Sequence, residues 1–188
     1  SPPMENSLAG QLLVATPDLS DGLFERSVVL VLQHDERTAE GVILNKPVDA
    51  EVDDVLPGWQ SGATAPQRVF QGGPVQLDSA VGLVGCPGDG DPPLGIKRLF
   101  GAIGLVDLDA PQDLVWPEIS ALRIFAGYSG WSSEQLDDER ARNGWFVVEA
   151  EVGDVFDEHP ETLWRRVLRR QTGSLAWVST YPEDPALN

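Results

Sequence analysis

Apolar residues in this chain come in short runs punctuated by turn residues, the signature of strands more than of long helices. "LLVAT" (12–16) and "RSVVLVLQ" (26–33) read as buried strands joined by the polar turn "PDLSDG". "EGVILN" (40–45) follows the loop "HDERTA" and is expected to pair antiparallel with the strand before it, with Pro47 stopping it. "VDDVLPG" predicts a short helical turn ending at Pro57 and Gly58, and "SGATAPQ" (61–67) a loop. "RVFQGGPV" and "AVGLVG" read as a strand pair split by a glycine–proline turn. "CPGDGDPPLG" (86–95) crowds three prolines and three glycines into ten residues and predicts a flexible excursion. "RLFGAIGLVD" and "LRIFAGY" are again short and β-prone.

Helical spacing appears only in the last third. Ser132 and Gln135 form the ends of a capping box, predicting a helix to about Asn143 that ends on Gly144 in the left-handed position. "WFVVEAEV" is a strand. "HPETLWRRVLRRQTG" is the strongest helix: Pro160 suits its first turn, Leu163, Trp164, Val167 and Leu168 make an apolar stripe, and Gly173 caps it. Strands outnumber helices and arrive in hairpin-like pairs. The expected class is α+β, a mixed and largely antiparallel sheet in a single domain over residues 1–188.

Composition narrows the setting. A chain of 188 residues with 41% hydrophobic content can bury a full core, roughly 70% of its unfolded surface. No apolar run approaches the ~20 residues of a membrane span. The opening "SPPMENSLAG" lacks the basic end and apolar body of a signal peptide, and the single cysteine, Cys86, fits a reducing compartment. A cytoplasmic protein with no membrane contact is expected. Thirty acidic against thirteen basic residues give a formal charge of −17, which repels nucleic acid. Arg165, Arg166, Arg169 and Arg170 are the one basic cluster. No base-reading set accompanies them, so they are expected to flank the apolar stripe and complement the helix's negative end.

Candidate chemistry is sparse. Ser129 follows an apolar run and precedes a helix start, as a nucleophile elbow would, and Asp154, Asp157 and His159 lie downstream. The elbow needs glycine two residues before and two after. Gly127 meets the first requirement, Trp131 fails the second, and the strand order lacks the alternation of a hydrolase. Ser129 is therefore expected to be a loop residue whose hydroxyl contributes little. "QGGPV" (71–75) matches neither a dinucleotide nor a phosphate-loop pattern and reads as a tight turn. "HDE" (34–36) reads as a solvated turn, and Cys86 has no evident basic neighbour to activate it. No cofactor and no metal site is indicated.

Taken together, "GQLLVATPDLSDGLFERSVVLVLQHDERTAEGVILNKP", "FQGGPVQLDSAVGLV" and "IFAGYSGWSSEQLDDERARNGWFVVEA", followed by "LWRRVLRR", resemble the YqgE/AlgH family of bacterial proteins from about Gly10 to Leu168. The resemblance implies a curved, barrel-like β-structure with flanking helices in a cytoplasmic protein. Such proteins are regarded as transcriptional regulators without an established DNA-binding element or known enzyme activity. The family-like positions are His34, Gly41, Asn45, Lys46, Pro47, Gly72, Gly73, Pro74, Gly127, Tyr128, Gly130, Trp131, Gln135 and Leu136. None carries an assigned catalytic role. The family pattern usually has alanine at Ser129 and often glycine within the "SE" before Gln135, and the "CPGDGDPP" loop is a further departure.

Two readings stay open. One is a non-enzymatic protein acting on gene expression indirectly, through a protein or small-molecule partner. The other is a small-ligand or nucleotide-binding protein with an unrecognised activity. Candidate ligand-binding positions are His34, Asn45, Gly72, Gly73, Tyr128 and Trp131. Tyr128 and Trp131 are also expected to staple the following helix to the sheet, with the Asn45–Pro47 and Gly72–Pro74 turns close by. The oligomeric state is open.

Overall fold

A computed structural model describes residues 6–20 and 22–182. Residues 1–5 of the opening segment and Asp21 of the 17–22 turn lie outside the described residues. Among the described residues ten strands make one curled sheet: β1 (Gln11–Ala15), β2 (Val28–His34), β3 (Thr38–Ile43), β4 (Pro47–Glu51), β5 (Arg68–Gln71), β6 (Val75–Gly85), β7 (Ile96–Phe100), β8 (Ile103–Val106), β9 (Ala121–Ser132) and β10 (Trp145–Glu149). The order is β10-β1-β2-β3-β9-β6-β8-β7, with β4 and β5 forming a side ribbon. Every pairing is antiparallel except β5 on β9, where Phe70 faces Phe125 and Gln71 faces Ala126. The helices are short: α1 (Val52–Val55), α2 (Gln112–Val115), α3 (Ser133–Ala141), α4 (Val152–Val155), α5 (Leu163–Arg169) and α6 (Ser174–Val178). Helices flank a half-barrel, and the α+β expectation holds.

The apolar runs are explained by what covers each face of the curl. Leu12 and Val14 of β1 point inward, into a cluster with Leu30, Phe70 and Phe125 that α5 closes with Leu163, Trp164, Val167 and Leu168. Leu13 and Ala15 point the other way, onto Trp131, Trp145 and α3's Leu136. Both faces are buried, so the strand reads as unbroken hydrophobe instead of alternating. β9 splits its faces similarly: Leu122 and Ile124 join Trp59, Val69 and Val115 in a third cluster, while Phe125 faces the inner one.

Several local expectations are corrected. Pro47 does not end sheet structure; it opens β4, the strand position where a missing N–H costs least. The 68–75 and 80–85 runs do not form a hairpin. β5 and β6 pair with β9 instead of each other, and residues 76–79 bulge between the Val75–Tyr128 and Ala80–Ala126 pairings. Ser132 caps α3 by accepting the Gln135 N–H at 3.0 Å, but the Gln135 side chain reaches forward to Glu139 and not back. The helix stops at Ala141, and Asn143 (φ 61°), not Gly144, takes the left-handed turn. α5 is shorter than its pattern suggests. Pro160 sits in a preceding 3-10 turn (Pro160–Thr162), and Gly173 (φ 73°) opens α6 instead of closing α5.

The arginines on α5 flank its buried stripe, and each of three has a partner within the chain. Arg166 makes two hydrogen bonds to Asp157 at 2.8 and 2.6 Å. Arg170 grips both oxygens of buried Asp154 at 2.6 Å and reaches Glu151 at 2.9 Å. Arg165 donates to the Ser179 carbonyl and lies 5.9 Å from the Trp164 ring centre. Burial pushes the Asp157 carboxyl upward, but the hydrogen bonds from Arg166 and the His159 N–H outweigh it and hold the carboxyl below its ordinary value.

Candidate functional site

The segment after β5 must pass from one side of β9 to the other, because β5 and β6 flank that strand on opposite edges. It crosses at Gly72 and Gly73. A Cβ on Gly73 would lie 2.2 Å from the Tyr128 carbonyl carbon and 2.4 Å from the Ser129 nitrogen. One on Gly72 would lie 2.4 Å from the Gly127 oxygen. Main chain therefore rests on main chain, which only glycine permits. The crossing is hydrogen-bonded on all sides: the Gly72 N–H donates to the Ala126 carbonyl at 2.9 Å, the Ile43 N–H to the Gly72 carbonyl at 2.9 Å, and the Gln71 N–H to the Lys46 carbonyl at 2.8 Å. Gly72-Gly73-Pro74 is a strand crossing, not a hairpin turn.

Ser129 belongs to this crossing. It lies within β9, fully buried, and its hydroxyl donates to the Gly72 carbonyl at 2.9 Å. The expectation of a loop hydroxyl is thus overturned. The hydroxyl is engaged as a structural donor and is closed to solvent.

The other candidate residues form two further groups. His34 is 7% exposed, its Nδ1 accepts the Leu8 N–H at 3.0 Å, and its Nε2 lies 3.4 Å from the Ser133 hydroxyl at the start of α3. An N–H can only donate, so Nδ1 is bare and the neutral ring carries its proton on Nε2. Trp131 is 6% exposed, packs edge-on against Trp145 at 5.8 Å, and shares Glu139 Oε1 with it. That burial is what a staple of α3 to the sheet requires. Tyr128 is half-buried and borders, with Val75, Trp131 and Gln135, a shallow groove of about 300 Å³. Asn45 stands apart. Its Oδ1 accepts the Val28 N–H at 3.0 Å and its Nδ2 donates to the Arg26 carbonyl at 2.9 Å, locking the start of β2. Next to it, burial lowers the Lys46 ammonium's pKa, and Nζ donates to the Glu25 carbonyl at 2.8 Å.

Two features escaped the sequence reading. Arg123 is 1% exposed, inside the curl on the Phe125 face of β9. It donates to the carbonyls of Asp157 (2.8 Å), Thr64 (3.2 Å) and Ala65 (2.7 Å) and sits 4.3 Å from the Phe70 ring centre. Burial pulls its pKa down to about 10. A lone charge within "LRIF" was the available signal. The second is Arg98, whose Nη2 lies 3.8 Å from buried Cys86 Sγ, so the thiol does have a basic neighbour. The same guanidinium also binds the carbonyls of Cys86, Gly101 and Gly90, pinning the 86–95 loop.

A roomier opening lies elsewhere. Where the two ends of the curled sheet approach, a cleft of about 580 Å³ opens between the start of β1, the residues after β10, and the β7–β8 turn. Leu30, Ile103 and Val155 line it, and Phe100 closes one side, touching the position of a Cβ on Gly10 at 3.3 Å. Among the described residues, no three His, Cys, Asp or Glu side chains converge to hold a metal ion, and no helix is long and apolar enough to cross a membrane.

The sequence profile of the family described as AlgH-like matches residues 12–176. The chain belongs to the AlgH-like family. A UPF0301 protein of Streptomyces coelicolor is 56% identical over 186 residues, covering 97% of this chain and 96% of that one. A UPF0301 protein of Mycobacterium marinum is 40% identical over 190 residues, covering 100% and 94%. The crystal structure of protein DIP2367 from Corynebacterium diphtheriae superposes with a TM-score of 0.87 at 33% identity, covering 96% and 95%. The solution structure of the AlgH protein from Pseudomonas aeruginosa gives 0.69 at 23% identity over 97% and 98%, a likeness of fold. In this AlgH-like chain the family-like positions are tied to the crossing, to α3 and to β2. None of them lines the seam cleft.

Proposed function

We propose that this AlgH-like protein is a non-enzymatic binding protein of the cytoplasm, which acts through a small molecule held at the seam of its sheet. Any influence on transcription is then indirect. The seam cleft carries this reading: its 580 Å³ falls within the range of small-molecule sites, with an apolar floor of Leu30, Ile103 and Val155. The side chains that could have served chemistry are occupied otherwise, Ser129 by the Gly72 carbonyl and His34 by the Leu8 N–H. Direct DNA binding is disfavoured by a −17 charge and by the pairing of Arg166 with Asp157 and of Arg170 with Asp154 and Glu151.

The test is untargeted mass spectrometry of protein purified from its native host. A metabolite at near-stoichiometric level, absent from an Ala102→Trp variant whose new indole fills the cleft, supports the reading. A stoichiometric protein partner with no metabolite overturns it, and so does a salt-sensitive, sequence-dependent DNA complex of submicromolar affinity.

A further inference from the structure

We propose that the seam cleft selects a compact apolar molecule bearing a single ammonium-type cation. The inference rests on the binding reading above and narrows its ligand class. The floor supplies the apolar half: Leu30 and Ile103 from the inner cluster, Val155 from α4, and the Phe100 ring at the side. The rim supplies the charge. Glu149 and Glu151 line the cleft, and among the described lining residues there is no lysine, arginine or histidine.

Arg170 does not reverse that sign. Its guanidinium holds Asp154 through both terminal nitrogens, Glu151 through Nε, and the Glu149 carbonyl at 3.1 Å. Three carboxylates, those of Glu149, Glu151 and Asp154, thus stand around Arg170, four of whose five N–H donors are in use, while on the far side of the cleft the Arg98 guanidinium is turned to the Gly101, Cys86 and Gly90 carbonyls. Glu149 is exposed and has no hydrogen-bonding cation of its own among the described residues. An incoming ammonium would relieve this excess, whereas a phosphate or carboxylate would add to it and meet no cationic lining side chain, only the neutral amide of Gln11. A nucleotide, left open by the sequence, is therefore the wrong charge for this cleft. The low dielectric of the apolar floor strengthens the discrimination near it.

Three probes of equal chain length test this: hexylammonium, hexan-1-ol and hexanoate, titrated into the full chain and followed by backbone amide shifts. Hexylammonium is expected to shift the amides of Gly10, Gly101 and Ala102 saturably. It should bind on the order of fivefold tighter than hexan-1-ol, as a partly exposed charge pair allows, with hexanoate weakest. The preference should shrink with added salt and in Glu149→Gln, and Ala102→Trp should abolish all three responses while melting like the parent. Equal binding of hexan-1-ol and hexylammonium overturns the charge selection and leaves the cleft reading standing. Saturable shifts confined to the Tyr128 and Trp131 groove overturn the location. If no probe binds and Ala102→Trp leaves co-purified metabolites unchanged, the binding reading of the seam fails as well.

Discussion

The crossing over β9 and the seam between the sheet's ends are opposite solutions to the same geometric problem, how a curled sheet joins its parts. At the crossing, backbone lies on backbone without room for one methyl group. At the seam, the strand edges stay apart, bridged by Phe100 against Gly10, and about 580 Å³ remains open. Topology is enforced at the first place and capacity is left at the second. The residues that make the chain resemble its family, Gly72, Gly73, Gly127, Tyr128 and Trp131 among them, gather at or beside the crossing. Their packing holds the crossing together, and the seam cleft proposed as the ligand site includes none of them.

The sharpest way to break the contrast is Gly73→Ala. Its new Cβ meets the Tyr128 carbonyl group and the Ser129 nitrogen, which are main-chain atoms of the central strand and cannot rotate aside. The loss should be at least about 3 kcal/mol, the upper part of the overpacking range. Denaturant unfolding checks it. A midpoint unchanged from the parent would mean that the two segments slide apart freely, contrary to the locked crossing.

Trp131→Ala tests the adjoining staple. The indole is 6% exposed and contacts Trp145, Phe24 and Glu139, so truncation leaves a cavity under α3. The expected cost is on the order of 3 kcal/mol, with Tm falling accordingly. The seam amides of Gly10 and Gly101 should keep their chemical shifts, since the damage lies on the other face of β1.

The sequence carried what is local. β1, β2 and β3, the Ser132 cap and the α5 stripe all follow from runs and caps a few residues long. It misled where pairing is long-range: "RVFQGGPV" and "AVGLVG" look like a hairpin, and nothing within them announces that β9, some forty residues on, will come between. Ser129 was misread for the same reason, because its acceptor lies on Gly72. Arg123 was missed since its three carbonyl partners belong to segments 64–65 and 157. The cleft could not be foreseen at all, being made of residues whose only shared property is meeting at the seam.

Ser129→Ala refines the crossing at lower cost. Gly72's carbonyl keeps the Ile43 N–H when the hydroxyl is lost, so no acceptor is left bare. The variant should lose about 1 kcal/mol, the net worth of one hydrogen bond, with the fold intact. A loss matching that of Gly73→Ala would mean that the hydroxyl, not the glycine packing, holds the crossing.

The smallest effect is expected at the seam, and it has the opposite sign. Gly153 lies in α4, exposed, with φ outside the left-handed region and nothing within 4 Å of the place a Cβ would take. Alanine there fits the native conformation and restricts only the unfolded chain. Gly153→Ala should therefore raise stability by about 0.5 kcal/mol. The same glycine-to-alanine change would then be severely destabilising at the crossing and mildly stabilising beside the cleft. α4 supplies Val152 and Val155 to the cleft wall, so the variant also asks whether ligand capacity depends on a loose wall. Hexylammonium affinity unchanged in the stabilised protein would place the cleft in the resting structure. A marked fall would mean that α4 must give way for the ligand to enter.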